Sequence, residues 1–318
     1  MAAEWKKASL LGLVIAIFAI VPLIVDLGSH VMNIMVTLFI YLVLAQGWNL
    51  IGGYTGQVNL GIVAFFGVST MTTHFLWKAG LPICLAISVG CLAAVALAFL
   101  IGVPTLRLRG MYFAVGTLAL AQAAQTVVAN IFTRQVSMPG SFSASYSLFP
   151  RYYLGLLLAI ISMAVVYAVA RSRIGLAMAA IRDDEEAAQV TGVRVFRYKV
   201  TALMISAVLA GLAGGFYGYV RLSFWQFAAV FSPSWTFDAL LSVVVGGAGT
   251  LFGPVIGSAF LVVLSEVFAN TFGQAHLIIF GLLFILVVLF LPEGLTGGAD
   301  LLRHGKGRIH WGRRKARG

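Results

Sequence analysis

Apolar runs long enough to cross a lipid bilayer occupy most of this sequence. A transmembrane helix needs about 20 apolar residues, and the runs that meet or approach this length are 8–25, 31–51, 58–76, 81–104, 110–132, 152–170, 200–220, 237–268 and 275–291. Because 61% of the residues are hydrophobic and 10% are charged, the chain cannot bury this surface in a core of its own, so lipid must cover the rest. The sequence predicts an all-α, polytopic membrane bundle of about nine or ten helices with broken or re-entrant half-helices.

The polar stretches between these runs are too short for a soluble domain. We predict one transmembrane domain over residues 1–302, with a cytoplasmic loop at 171–199, and a basic cytoplasmic tail at 303–318. The run 8–25 follows two lysines as a secretory signal would. It is longer than the apolar part of a signal peptide, and no small-residue cleavage site precedes Asp26. We interpret it as an uncleaved first span.

Basic residues concentrate on one side of the predicted topology. With both termini in the cytoplasm, 17 Lys and Arg fall in cytoplasmic connections and 4 in external ones, as the positive-inside rule requires. The loop and the tail are both cytoplasmic only if the segment 237–268 enters the membrane and returns, as two half-helices or two short spans. The net charge of +11 is therefore explained by basic residues at the cytoplasmic face, where anionic lipids attract them. The sequence contains no basic folded domain of the kind that binds nucleic acid.

Glycine-rich interruptions occur in both halves of the chain, at 52–61 and 245–254. Irregular backbone at membrane depth is tolerated only inside protein or beside a cavity, and paired interruptions in a transporter indicate its solute pathway. We predict a pathway lined by Thr55, Gln57, Asn59, Gly61, Gly246, Gly247, Gly249 and Gly253. Helix packing is the alternative role for Gln57 and Asn59. Packing is also the expected role of a small-residue stripe at Ser206, Ala210, Gly214 and Gly218.

Motifs for catalysis, ATP binding or metal binding are missing. The sequence has no Walker loop, HExxH or GxSxG. Cys84 and Cys91 are interpreted as small buried hydrophobes. The acids Asp238 and Glu266 lie near the ends of predicted segments, where hydrogen bonds to neighbours are expected rather than a proton relay. The energy for transport is therefore expected to come from a partner protein.

The loop 171–199 is the most informative polar segment. A short helix is predicted to start near Asp183, because acidic residues in a first turn complement the helix dipole. The pair Ala187 and Ala188 leaves an uncluttered face, and Gly192 can end the helix in a left-handed conformation. Such a helix suits insertion into a cleft on another protein. A solvated connector is the alternative.

The stretch Glu186-Ala187-Ala188-x-x-x-Gly192 resembles the first half of the EAA signature of ABC importer permeases, the loop that docks on the ATPase subunit. Similar stretches at 53–61, 106–112, 172–185, 206–214 and 246–254 follow the order of one family. On these residues the chain resembles the M-type membrane subunit of branched-chain amino acid importers. It departs from that family at 130–141, where the usual T-G-G-x-x-G stretch is missing.

The resemblance implies a non-catalytic permease of the bacterial inner membrane that binds no cofactor itself. Its implied partners are a second, H-type permease, two ABC ATPase subunits that hold ATP and Mg²⁺, and a periplasmic solute-binding protein. The implied ATPase-coupling residues are Arg182, Asp183, Asp184, Glu185, Glu186, Ala187, Ala188 and Gly192. Urea or short amides are alternative solutes within the importer class. An ion- or proton-coupled secondary transporter is the rival function, and a membrane-embedded enzyme is disfavoured because no nucleophile or metal cluster is found.

Overall fold

Every regular element in the described part of the chain is a helix. In this computed structural model the described residues are 28–132, 146–221 and 226–272, with single positions at 18, 20, 22, 281 and 295. The α-helices are α1 (Gly28–Trp48), α2 (Ile62–Lys78), α3 (Ile83–Leu97), α4 (Met111–Ile131), α5 (Leu148–Ala170), α6 (Arg173–Asp183), α7 (Glu185–Val190), α8 (Val195–Val220), α9 (Phe227–Val230), α10 (Ser234–Gly246) and α11 (Gly253–Phe272).

Six helical segments of the described residues are long and apolar enough to cross a membrane: Gly28–Tyr54, Ile83–Thr105, Met111–Ile131, Leu148–Ala170, Val195–Val220 and Phe227–Gly246. The first includes a π-helical extension of α1, Asn49–Tyr54, and the second continues α3 through a π-helical segment, Ala98–Gly102. The prediction of an all-α polytopic bundle is confirmed. The predicted spans 8–25 and 275–291 lie outside the described residues, apart from single positions.

Helix α8 lies at the centre of the bundle and packs against α1, α2, α3 and α5. Its small residues bring neighbouring backbones into contact: a β-carbon at Gly214 would collide with the carbonyl oxygen of Phe66. The Thr70 hydroxyl donates to the Gly214 carbonyl at 2.8 Å, and the Ser69 hydroxyl donates to the Gly211 carbonyl at 2.6 Å. The predicted small-residue stripe is therefore a packing surface, as expected where lipid removes the hydrophobic drive between helices.

The predicted broken segment 237–268 is a hairpin of two antiparallel helices, α10 and α11. A β-carbon at Gly246 would collide with the carbonyl oxygen of Gly253, and one at Gly257 with that of Ser242. These two contacts pair residues in opposite directions along the chain. Only glycine permits this approach, which explains the glycine spacing that the sequence displays.

The outer face of α3 carries apolar side chains, of which Leu92 is 66% exposed. Cys84 lies on this exposed face, and Cys91 is only partly buried. The expectation that both cysteines are buried is therefore wrong for Cys84. In a membrane helix an apolar side chain is as well accommodated by lipid as by a protein core, so hydrophobicity alone does not distinguish the two faces.

Candidate coupling and translocation site

Helix α7 has a defined beginning and end. The Asp184 Oδ1 accepts hydrogen bonds from the backbone N–H groups of Glu186 (2.9 Å) and Ala187 (3.0 Å), which satisfies donors that a helix N-terminus leaves free. At the other end Gly192 has a φ of +89°, the left-handed conformation that the sequence predicts for it. The helix begins within a residue or two of the predicted position, and Asp184 is its N-cap.

One face of α7 packs on the chain and the other is exposed. Ala188 is only 4% exposed, and the Lys199 ammonium donates to the Glu185 carboxylate at 2.6 Å. The Glu185–Lys199 pair therefore joins α7 to α8, and Ala188 lies on the buried face of α7. The predicted residues that are exposed are Arg182, Asp183, Asp184, Glu186, Ala187 and Gly192.

Val190, at the end of α7, is 88% exposed, and Leu176 in α6 is 72% exposed. Neither residue was among the predicted coupling residues. The sequence does offer a signal for them, because each is an apolar residue within a charged loop. Both are exposed apolar side chains of the α6–α7 loop.

Arg182 connects the loop to the first glycine-rich interruption. Its Nη1 donates to the carbonyl oxygen of Gly53 at 2.8 Å. A β-carbon at Gly249, in the second interruption, would collide with the same Nη1. The Arg182 guanidinium thus lies between Gly53 and Gly249, and we call these three residues the glycine junction.

Asn49 joins the two interruptions directly. Its Nδ2 donates to the Thr250 carbonyl at 2.8 Å, and its Oδ1 accepts from the Gly249 N–H at 2.8 Å. Gln46 adds a third bond, from its Nε2 to the Leu251 carbonyl at 3.0 Å. The sequence analysis did not identify Asn49 or Gln46, although a carboxamide within an apolar run is a usable signal. Their bonds fix the α10–α11 turn against the end of α1.

The predicted pathway residues fall into separate places. Gly246, Gly247, Gly249 and Gly253 lie at the α10–α11 turn or at its helix ends. Thr55 is buried and donates to the Leu50 carbonyl at 3.0 Å, whereas Gln57 is partly exposed. Asn59 and Gly61 lie farther along the non-helical segment between Tyr54 and Ile62.

A cavity of about 210 Å³ borders this non-helical segment. Its walls come mainly from α2, α4 and the span that begins with α3, together with Leu203 of α8 and Phe231, and Asn59 and Gly61 lie at one edge. Asn59 is 1% exposed, so the irregular backbone here is both buried and beside a cavity, the two conditions that membrane depth imposes. The structure thus brings Asn59 and Gly61 to a cavity that Thr55, Gln57 and the four glycines of the α10–α11 region do not line.

The acid in α10 is paired with a neighbouring helix. The Tyr41 hydroxyl of α1 donates to the Asp238 carboxylate at 3.2 Å. Glu266 of α11 lies 3.2 Å from the His30 imidazole. Both acids have the neighbouring partners that the sequence analysis expected for them.

Comparisons with known proteins agree with the resemblance in the sequence. The family model described as the permease component of the branched-chain amino acid transport system matches residues 30–288. The chain is similar to the high-affinity branched-chain amino acid transport system permease protein LivM of Escherichia coli, with 30% identity over 86% of this chain and 71% of that protein.

Two further relatives carry related names. The permease protein BraD of Pseudomonas aeruginosa, from a high-affinity branched-chain amino acid transport system, is 24% identical over 82% of this chain and 92% of its own length. The permease protein LivH of Escherichia coli is 30% identical over 44% of each chain. The relatives are transport permeases, which confirms the expectation of a non-catalytic subunit.

Proposed function

Because the chain belongs to the family of branched-chain amino acid transport permeases, we propose that it is the membrane-spanning subunit of a bacterial ABC importer for branched-chain or related amino acids. The observation that carries the proposal is the family match over residues 30–288. The solute is delivered by a periplasmic binding protein, and ATP with Mg²⁺ is bound and hydrolysed on two partner ATPases.

The α6–α7 loop is the proposed contact with the ATPases. Its acidic residues, Ala187 and the apolar Val190 form an exposed surface on a short, firmly capped helix. Movement of the ATPases displaces this helix, and Arg182 passes the displacement to both glycine-rich segments through the glycine junction. A hydrogen bond from a charged guanidinium is stronger than one between neutral groups, so Gly53 is expected to move with Arg182.

Helix α4 supports the proposal of a second permease. Gln122, Thr126 and Asn130 recur at four-residue spacing and are exposed, so they form one polar stripe along the helix. The exposed face of α3 carries apolar side chains such as Leu85 and Leu92 instead. Polar side chains inside a membrane face protein or water rather than lipid, and a helix of the second permease satisfies that requirement.

The proposed location is the bacterial inner membrane, with both termini and the α6–α7 end of the bundle in the cytoplasm. In the predicted topology 17 Lys and Arg lie in cytoplasmic connections and 4 in external ones, which supports this orientation. It places the loop where cytoplasmic ATPases bind and the opposite end of the bundle toward the binding protein.

Affinity purification of the tagged chain from native membranes in mild detergent, followed by mass spectrometry, tests the proposed assembly. The proposal predicts that a P-loop ATPase and a second permease are recovered together with the chain. A chain that purifies alone and transports solute under an ion gradient would overturn it in favour of a secondary transporter.

A further inference from the structure

The cavity between α2, α3 and α4 is almost entirely apolar. Its described lining contains no charged residue, and its walls are formed by side chains such as Phe65, Val68, Leu97, Ile101, Leu120 and Val128. An apolar cavity of about 150 Å³ in another protein accepts benzene. At about 210 Å³, this cavity has room for a branched aliphatic group.

Three polar side chains line it, and only one has a donor left to offer. The Thr105 hydroxyl donates to the Gly102 carbonyl at 2.7 Å. The Thr117 hydroxyl donates to the Ala114 carbonyl at 2.9 Å and accepts from the Leu60 N–H at 3.1 Å. The Asn59 Nδ2, by contrast, has no hydrogen-bond partner among the described residues, although Asn59 is 1% exposed. A buried donor without a partner is unfavourable unless a bound molecule supplies the acceptor.

The orientation of the Asn59 carboxamide is fixed by its other contacts. Its Oδ1 accepts from the Gly61 N–H at 2.8 Å, and its backbone carbonyl accepts from the Trp48 indole N–H at 2.8 Å. A backbone N–H can only donate, so the carboxamide atom that faces Gly61 is the oxygen. The Nδ2 donor is therefore left for another acceptor, which can reach this buried atom only when the segment between Tyr54 and Ile62 moves.

We propose that this cavity is a solute subsite, which takes the aliphatic side chain of a neutral amino acid while the Asn59 Nδ2 donates to an oxygen of its carboxylate. The inference rests on the proposed function and adds to it the place and the chemistry of solute contact. The uncharged lining accepts an aliphatic side chain and excludes a charged one, because a charge left without a partner there loses its hydration. The α-ammonium of the solute therefore stays outside this lining. Selectivity for aliphatic solutes thus belongs to the permease as well as to the binding protein.

Filling the cavity tests its role. Ala124 lines the cavity, whereas its neighbour Ala123 is exposed on the same helix. In the complete importer in proteoliposomes, Ala124→Phe is expected to lower the ratio of leucine to alanine uptake by about tenfold or more, the scale on which an apolar pocket discriminates. The control Ala123→Phe is expected to leave that ratio unchanged.

Two further variants keep the test decisive if Ala124→Phe does not assemble. Val128→Ala enlarges the cavity and is expected to raise phenylalanine uptake relative to leucine. Asn59→Asp keeps the oxygen that accepts from Gly61 and removes the donor, so leucine and alanine uptake are expected to fall together.

The outcomes separate this inference from the proposed function. If the unaltered importer takes up no amino acid with ATP, the proposed function fails. If it transports leucine while Ala124→Phe and Val128→Ala leave the uptake ratios unchanged, the cavity is not a solute subsite. A change of ratio in the expected directions supports the subsite.

Discussion

At the residue scale, Asn49 holds both sides of the contact between α1 and the α10–α11 turn. One carboxamide supplies a donor to Thr250 and an acceptor to Gly249. Both partners are main-chain groups of a turn, so they lack the backbone hydrogen bonds that a helix would supply. A single side chain therefore determines whether the two glycine-rich segments stay together.

Replacing Asn49 by Leu is expected to destabilise the protein. The substitution leaves the Gly249 N–H and the Thr250 carbonyl without their partner, and each loss costs about 1–3 kcal/mol of unfolding free energy. Thermal unfolding of the purified permease measures the effect as a lower midpoint. Asn33→Leu is the matched control, because the exposed Asn33 bonds only to Ser29 within its own helix. Equal midpoints for the two variants would contradict the account.

Arg182 is expected to link ATP hydrolysis to transport. Arg182→Met removes the bond to Gly53 while keeping a long side chain. The predicted result is a strong loss of solute uptake, with the ATPases still bound and still hydrolysing ATP. Arg173→Met, at the exposed start of the same helix, is the control and should transport normally. Normal uptake by Arg182→Met would rule out transmission through the glycine junction.

At the element scale, α7 depends on its N-cap as well as on its charge. Asp184→Asn keeps a good cap and removes the charge, whereas Asp184→Ala removes both and costs about 0.5–2 kcal/mol of helix stability. ATPase binding, measured by titration of the purified subunit onto the permease in nanodiscs, should weaken more for Asp184→Ala than for Asp184→Asn. Equal affinities would mean that the helix cap has no part in binding.

The acidic face of α7 is a second expected determinant of ATPase binding, and the double charge reversal tests it together with loss of the Asp184 cap. Reversing the charge at both Asp184 and Glu186 with Lys should reduce ATPase binding and transport together, because like charges repel at a desolvated contact. Intact binding and transport in that double variant would remove the coupling role from α7.

The polar stripe of α4 is expected to contact the second permease. After the native cysteines are replaced, Thr126→Cys should form a cross-link to the second permease in membranes treated with a short bifunctional thiol reagent. Leu92→Cys, on the apolar outer face of α3, is the control and should remain unlinked. A cross-link from residue 126 to another part of the same chain would assign the stripe to the interior of this subunit.

At the scale of the whole molecule, the sequence predicted the elements better than their contacts. The spans from 31–51 to 200–220 and the break near 247 follow from long apolar runs and from glycine, which are local signals. The bond from Arg182 to Gly53 joins residues 129 positions apart, and no local pattern encodes it. The interpretation of Arg182 as an ATPase-coupling residue did not include this contact for that reason.

The candidate site was predictable in part. Asn59 and Gly61 were identified because they interrupt an apolar run, and they do border a cavity. The remaining walls of that cavity are mostly ordinary apolar residues from several helices, which become a lining only when those helices pack around a gap. Ala188 was interpreted as a partner contact, yet its burial depends on where α7 meets α8, which spacing alone does not determine.

The most direct test of the central claim is solute uptake by the reconstituted complex. The chain is co-purified with its second permease and ATPases, placed in liposomes and supplied with the binding protein and radiolabelled leucine. If the chain is an ABC importer subunit, we expect uptake that requires ATP on the side of the α6–α7 loop and that continues when ion gradients are abolished. Uptake that follows an ion gradient and proceeds without ATP would contradict it.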